Sequence, residues 1–358
     1  MKDLHGGNIY KFQREGKNNI LDYSSNINPL GVPQKFIDIA KENFDKLVNY
    51  PDPYYIELRK KIAEFNSLNM DNIIVGNGAT EILFLYIRAL KPRKVLILAP
   101  CFAEYERALK SISTKIEYFE LKENDNFYPN IINLKKEIEN NNYDLLLFCN
   151  PNNPTGQFIK LEDIKEIIKT CENKNTKIFI DEAFIEFIEN WKEKTVSLLK
   201  NKNIFIMRAF TKFFAIPGLR LGYGIGFDED ILKKMWEEKE PWTVNTFANL
   251  AGLIMLDDKE YIEKSEKWIL EEKKFMYKKL SEFQYIKAYK TECNFILIKI
   301  YNISSASLKD KMIEKNILIR DASNFKFLDN HFVRLAIKDR KSNLKMMETL
   351  AEFVEYRG

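Results

Sequence analysis

From residue 73 to residue 225 the chain alternates short apolar runs, rich in β-branched residues, with longer amphipathic stretches. Residues 73–75, 94–98, 143–149, 177–181, 203–208 and 221–225 have the length and composition of strands. Residues 79–90, 102–112, 134–138 and 161–170 carry the apolar spacing of helices and fall between most of those runs. Strands separated in this way are joined by crossovers, which predicts a mostly parallel sheet with helices on both faces. The expected fold is α/β, with a large domain over residues 46–240. After Trp242 the rhythm changes. Residues 245–282 read as nearly continuous helix. Strands at 294–300 and 332–337 flank a helix near 306–315, and 341–356 is helical again. This predicts a smaller α+β domain from 241–358. Residues 1–45 have too little pattern to fold alone and are expected to pack on it.

Composition narrows the class. With 358 residues and 45% apolar content the chain can bury a sizeable interior, so it is globular. Lys plus Arg number 56 against 52 for Asp plus Glu, a net of +4. A balance so near neutral points to neither a nucleic acid nor a membrane surface. Cys101, Cys149, Cys171 and Cys293 are far apart and lack CxxC spacing, which disfavours disulfides and zinc and favours a reducing, cytoplasmic setting. With His5 and His331 as the only histidines, no His-based metal centre is expected. The first ten residues are polar and have no signal-peptide core. The most apolar stretch, 82–100, is broken by Arg88, Lys91, Pro92, Arg93 and Lys94 and cannot span a membrane.

Four segments carry chemistry, and each falls where a strand pattern ends, the place where ligands gather in open α/β sheets. Gly76-Asn77-Gly78-Ala79-Thr80-Glu81 joins a strand to a helix. Its glycines allow close backbone approach, the new helix offers free N–H groups, and Thr80 adds a hydroxyl, a set that suits a phosphate. Alone, such a turn is more often only a turn. Asn150-Pro151-Asn152-Asn153-Pro154-Thr155-Gly156 is a loop whose prolines fix where the asparagines point; a surface turn is the plainer explanation. Asp181-Glu182-Ala183-Phe184 puts a carboxylate at a strand end, where burial calls for a cationic or N–H partner; a helix cap would also explain it. In Thr211-Lys212-Phe213-Phe214-Ala215-Ile216-Pro217-Gly218-Leu219-Arg220, phenylalanines surround Lys212 and favour its neutral, nucleophilic amine. Arg220 offers a fork for phosphate. A lone lysine in such a setting would ordinarily be a solvated one.

In this order, the four motifs resemble the aspartate-aminotransferase superfamily, the fold-type I pyridoxal phosphate (PLP) enzymes, over most of the chain. The resemblance implies PLP as cofactor, held by Lys212 as a Schiff base, with Lys212 also moving protons. Asp181 would pair with the pyridine nitrogen and Asn153 would donate to the ring oxygen. Gly78, Ala79, Thr80, Thr211 and Arg220 would bind the cofactor phosphate, and Phe102 would stack on the ring. Tyr50 would reach the phosphate of a partner subunit, which implies a homodimer. Ala209 stands where a Ser or Thr often holds the phosphate, and Phe184 where many aminotransferases have a Tyr.

Superfamily membership leaves the reaction open. Two subfamilies are similar, the histidinol-phosphate aminotransferases and the threonine-phosphate decarboxylases of cobalamin biosynthesis. His5-Gly6-Gly7-Asn8-Ile9, the stretch from Asp22 to Gly31, Phe184, Thr211 to Pro217 and Ile319-Arg320-Asp321-Ala322-Ser323-Asn324-Phe325 resemble the decarboxylases more. The implied substrate is O-phospho-L-threonine. Arg334 would grip its carboxylate, and Arg320 its phosphate with help from His5, Gly6 and Asn28; Asn153 would also face it. An aminotransferase is the alternative, and a non-enzymatic PLP-fold sensor a weaker one.

Overall fold

The computed structural model describes residues 5–355. Seven strands form the large sheet: Ile73–Asn77 (β1), Lys94–Ala99 (β2), Lys115–Glu120 (β3), Leu145–Cys149 (β4), Lys177–Asp181 (β5), Ile204–Ala209 (β6) and Leu221–Gly226 (β7). Their order across the sheet is β1-β7-β6-β5-β4-β2-β3. Neighbours from β6 through β3 pair in parallel, whereas β7 is antiparallel to both β6 and β1. The sheet is buried on both faces, which is why β4 reads as the uninterrupted run Leu-Leu-Leu-Phe-Cys. Its alternate side chains feed two cores: Leu146 and Phe148 on one side, Leu145, Leu147 and Cys149 on the other. β3 is a strand that the sequence pattern did not single out. It forms the sheet edge, is only partly buried, and carries Lys115, Glu117 and Glu120, so its apolar signal is weak.

A second sheet is antiparallel and comprises Ile286–Ala288 (β8), Phe295–Ile300 (β9), Arg320–Asp321 (β10) and Phe332–Ala336 (β11), in the order β10-β11-β9-β8. The expected continuous helix over 245–282 is two helices, Thr246–Met255 and Lys259–Leu280. The break is chemical: the Asp258 side chain accepts the Tyr261 N–H at 3.2 Å and caps the second helix. The expected helix over 341–356 is Arg340–Ala351, and residue 356 lies outside the described residues.

The N-terminal residues tie the two sheets together. Leu21–Asp22 pairs in parallel with Ile317–Leu318, and the Tyr23 hydroxyl donates to Asn343 at 2.9 Å. The Asn28 N–H donates to the Lys212 carbonyl at 3.1 Å, on the large-sheet side. Among the described residues no helix is long and apolar enough to cross a membrane.

Candidate active site

Parallel strands deliver their following loops to one edge of the sheet, and there the motifs converge. Asn77 ends β1, Asn150 follows β4, Asp181 ends β5 and Lys212 follows β6. Because β7 runs the opposite way, the residue before it, Arg220, arrives at the same edge. Arg220 has a left-handed backbone (φ 64°), uncommon for a residue with a side chain. Gly78 lies against it: at φ 77°, a Cβ there would come within 2.3 Å of the Arg220 guanidinium. Only glycine allows that approach.

A cavity of ≈ 270 Å³ opens at this edge. Ala79, Thr80, Phe102, Asn153, Asp181, Thr211, Lys212 and Arg220 line it from the large-sheet side. His5, Gly6, Arg320 and Arg334 line it from the other.

Electrostatics single out the central pair. Burial, then the charges of Arg334 and Arg220, push the Lys212 amine down to about 8, against the pull of Asp181 and Asp22. Asp181 is 4% exposed, and burial pushes its carboxyl up to about 6. It accepts the Ala183 N–H at 2.8 Å and the Tyr105 hydroxyl at 2.5 Å. These bonds fix the carboxylate.

The asparagine loop separates its members. Asn150 donates to and accepts from the Ile159 backbone, and Asn152 donates to the Pro100 carbonyl and to Thr155. Both stitch the loop. Asn153 lines the cavity, where its carbonyl accepts Arg334 Nη1 at 2.5 Å.

Arg320 and Arg334 stand directly opposite each other on β10 and β11, 7% and 6% exposed. Like charges in that position repel. Arg334 also donates to the Ser24 carbonyl at 2.6 Å, while its buried Nε has no partner among the described residues. Arg320 donates to Asn324 at 2.7 Å and lies over the Phe325 ring at 5.0 Å. Burial and then the Arg320 charge push Arg334 below the usual guanidinium range. An anion between the two would relieve both effects.

One expectation is corrected. Asn28, read as a substrate contact, is 2% exposed and does not line the cavity. Its amide donates to the Phe213 carbonyl at 2.9 Å and to Ser265 at 2.7 Å, so it buttresses the Lys212 segment. Tyr50 is also outside the cavity of its own chain; it is 81% exposed and lies 4.8 Å from Trp242. Ala209 lines the cavity without a hydroxyl, and Phe184 lines it while packing edge-on against Phe295.

Sequence reasoning passed over several residues. Ser24, Ser25 and Asn26 line the cavity; they belong to the Asp22–Gly31 stretch that resembles the decarboxylases, where only Asn28 was given a role. Tyr105 lies three residues beyond Phe102 and meets it edge-on at 5.7 Å; the helix expected over 102–112 is Glu104–Lys110, so Phe102 precedes it and the two share no helical face. Glu182 and Arg208 form a fully buried pair at 2.8 Å behind the site. Glu81 pairs with the buried Lys239 at 3.0 Å, so this motif residue supports the loop.

The geometry has the parts of a covalent amine site beside an anion site, and comparison with known proteins is decisive. Residues 18–351 match the family described as aminotransferase class I and II. The chain belongs to that family. A Caldanaerobacter subterraneus protein, provisionally named a threonine-phosphate decarboxylase, is 44% identical over 98% of this chain and 94% of its own length. The threonine-phosphate decarboxylase of Salmonella typhimurium is 33% identical over 97% of this chain and 95% of its own length. Among solved structures, a histidinol-phosphate aminotransferase from Clostridium acetobutylicum superposes with a TM-score of 0.87 at 38% identity, covering 93% of this chain and 98% of that one. The α/β architecture is that of the aspartate-aminotransferase fold.

The cofactor of this aminotransferase-family chain is PLP. The residues present fit it. The Gly78–Arg220 approach, with the Thr80 and Thr211 hydroxyls at the cavity, makes a cradle for a phosphate. A depressed amine at Lys212 and a buried carboxylate at Asp181 suit its aldehyde and its ring nitrogen.

Proposed function

We propose that this protein is a PLP-dependent decarboxylase of O-phospho-L-threonine, releasing aminopropanol phosphate for cobalamin biosynthesis. The observation that carries this reading is the buried cross-strand pair of Arg320 and Arg334 facing the same cavity as Lys212 and Asp181. Two guanidinium forks call for a substrate with two anionic ends. The decarboxylase relatives, aligned over nearly their full length, add support.

Bound PLP supplies an electron sink that weakens the bonds at the α-carbon of an attached amino acid. The chain selects among those bonds by orientation. Arg334 holds the carboxylate and Arg320 the phosphate, and anchoring both ends sets which bond stands perpendicular to the ring. Asp181 balances a protonated ring nitrogen and so keeps the sink effective. Lys212, whose amine is pushed down to about 8, is about one-tenth neutral at pH 7, far more than a free lysine. It holds the cofactor before reaction and returns a proton to the α-carbon after carbon dioxide leaves. Phe184 brings an apolar edge in place of a hydroxyl, and the phosphate cradle lacks a hydroxyl at Ala209.

The reading includes a two-domain division, residues 46–240 against the remainder, a cytoplasmic setting and a homodimer. Phe44, Leu47, Val48, Tyr50 and Tyr54 are all exposed, and a large apolar patch on a monomer commonly marks an interface. Tyr50 would complete the partner's phosphate site from this face.

The test is to incubate PLP-loaded protein with O-phospho-L-threonine and no oxo acid, following carbon dioxide and cofactor absorbance together. Catalytic carbon dioxide with the starting spectrum restored is expected. Likeness to the histidinol-phosphate aminotransferase structure supports a second reading. No carbon dioxide, with conversion to pyridoxamine phosphate once an amino donor is added, would favour it.

A further inference from the structure

His5 meets the large-sheet side at one point. Its Nε2 lies 2.8 Å from Glu104 Oε1, and its ring lies 5.4 Å from Phe102 at a 51° tilt. Glu104 is 5% exposed but does not line the cavity. A carboxylate so buried needs partners. Its other partner is Arg107, at a longer 3.3 Å and largely exposed. His5 is therefore the closer of the two partners.

The same segment is anchored on the opposite side. The Gly7 N–H donates to the Ser24 hydroxyl at 2.7 Å, and Gly6 is pressed so tightly on Ser24 that a Cβ would sit 2.0 Å from its carbonyl oxygen. That carbonyl also accepts Arg334 Nη2. Residues 5–7 thus bridge the cavity mouth from the Arg334 side to Glu104.

We propose that Glu104 is a positioning residue that holds the His5 imidazole across the cavity mouth, so that the N-terminal segment grips the phosphate end of the substrate. This deepens the reading above and rests on it. A carboxylate can only accept, so Nε2 carries a hydrogen and Nδ1 is left for the ligand. Only an imidazolium donates from both nitrogens, one to Glu104 and one to a phosphate, and the carboxylate then balances its charge. Arg320 lines the same cavity and supplies the fixed charge. Glu104 does not line the cavity and acts through His5.

The experiment is a double-mutant cycle on the PLP-loaded protein with Glu104→Gln, His5→Ala and both changes. Binding of O-phospho-L-threonine, L-threonine and inorganic phosphate is read from cofactor absorbance, alongside KM and kcat. Glu104→Gln is expected to weaken both phosphate ligands roughly tenfold and L-threonine far less, with KM rising more than kcat falls. The double variant should bind no more weakly than His5→Ala alone. Equal losses for all three ligands, or losses that multiply, would overturn the proposal. Should Glu104→Gln fail to fold, His5→Asn must reproduce the phosphate-selective loss by itself or the proposal falls. Wild-type protein that binds inorganic phosphate yet releases no carbon dioxide would defeat the decarboxylase reading, and the phosphate cycle would still decide on Glu104.

Discussion

The two walls of the cavity are built in opposite ways. The large-sheet wall hangs on strand ends: Asp181 ends β5, Lys212 follows β6, and the glycine turn follows β1. Its charged groups are held from behind by fixed bonds, such as Tyr105 to Asp181 and Glu182 to Arg208. The opposite wall is assembled from separate pieces. Arg320 and Arg334 come from short antiparallel strands, Ser24 to Asn26 from the N-terminal region, and His5 from close to the chain's start. A wall on adjacent parallel strand ends suits chemistry that needs fixed geometry. A wall drawn from distant segments suits recognition, because its closing can depend on the ligand.

The strongest way to break this division is Lys212→Ala. The variant is expected to fold and bind PLP non-covalently while losing turnover by roughly 10²–10⁴-fold or more, the usual worth of positioned proton transfer. Turnover at the wild-type rate, measured as carbon dioxide release, would remove Lys212 from the chemistry.

Arg334→Ala tests the other wall. It leaves Asn153 and the Ser24 carbonyl without a donor they now use, and takes away the proposed carboxylate anchor. A loss of about 2–5 kcal/mol is expected, read mainly as weaker substrate binding. If kcat fell as far as in Lys212→Ala while substrate affinity held, the split between chemical and recognition walls would collapse.

A smaller effect sharpens the description of the first wall. Only the neutral amine captures the cofactor aldehyde, and the neutral form grows as pH rises through the amine's value. With Lys212 pushed down to about 8 by burial, cofactor capture by the apoprotein should level off above about pH 8. Below that it should slow about tenfold per unit. A rate still climbing toward pH 10 would mean that the lysine is solvated.

The difference between the walls also explains what could be read in advance. Strand ends are local: Gly78, Asp181, Asn153, Lys212 and Arg220 sit in contiguous motifs, and an apolar run announces the strand before each of the first four. The helix over 79–90 was legible to the residue, because its apolar face and the Gly78 turn agree. β3 was not, since an edge strand that alternates charge with partial burial resembles a loop. Asn28 misled for a related reason. Its neighbourhood resembles a substrate-binding segment, but whether a side chain faces ligand or backbone depends on what packs over it, here Phe213 and Ser265.

By itself, then, the sequence determined the α/β order, the family motifs and the charge types that the site holds, because all of these follow from short-range pattern. Tertiary structure alone decided that Arg320 faces Arg334 across two strands. It alone brought His5 to Glu104, 99 positions away, and left Asn153 as the loop asparagine at the cavity. Those relations arise from sheet register and from burial, which couple residues far apart in the chain and leave no local signal.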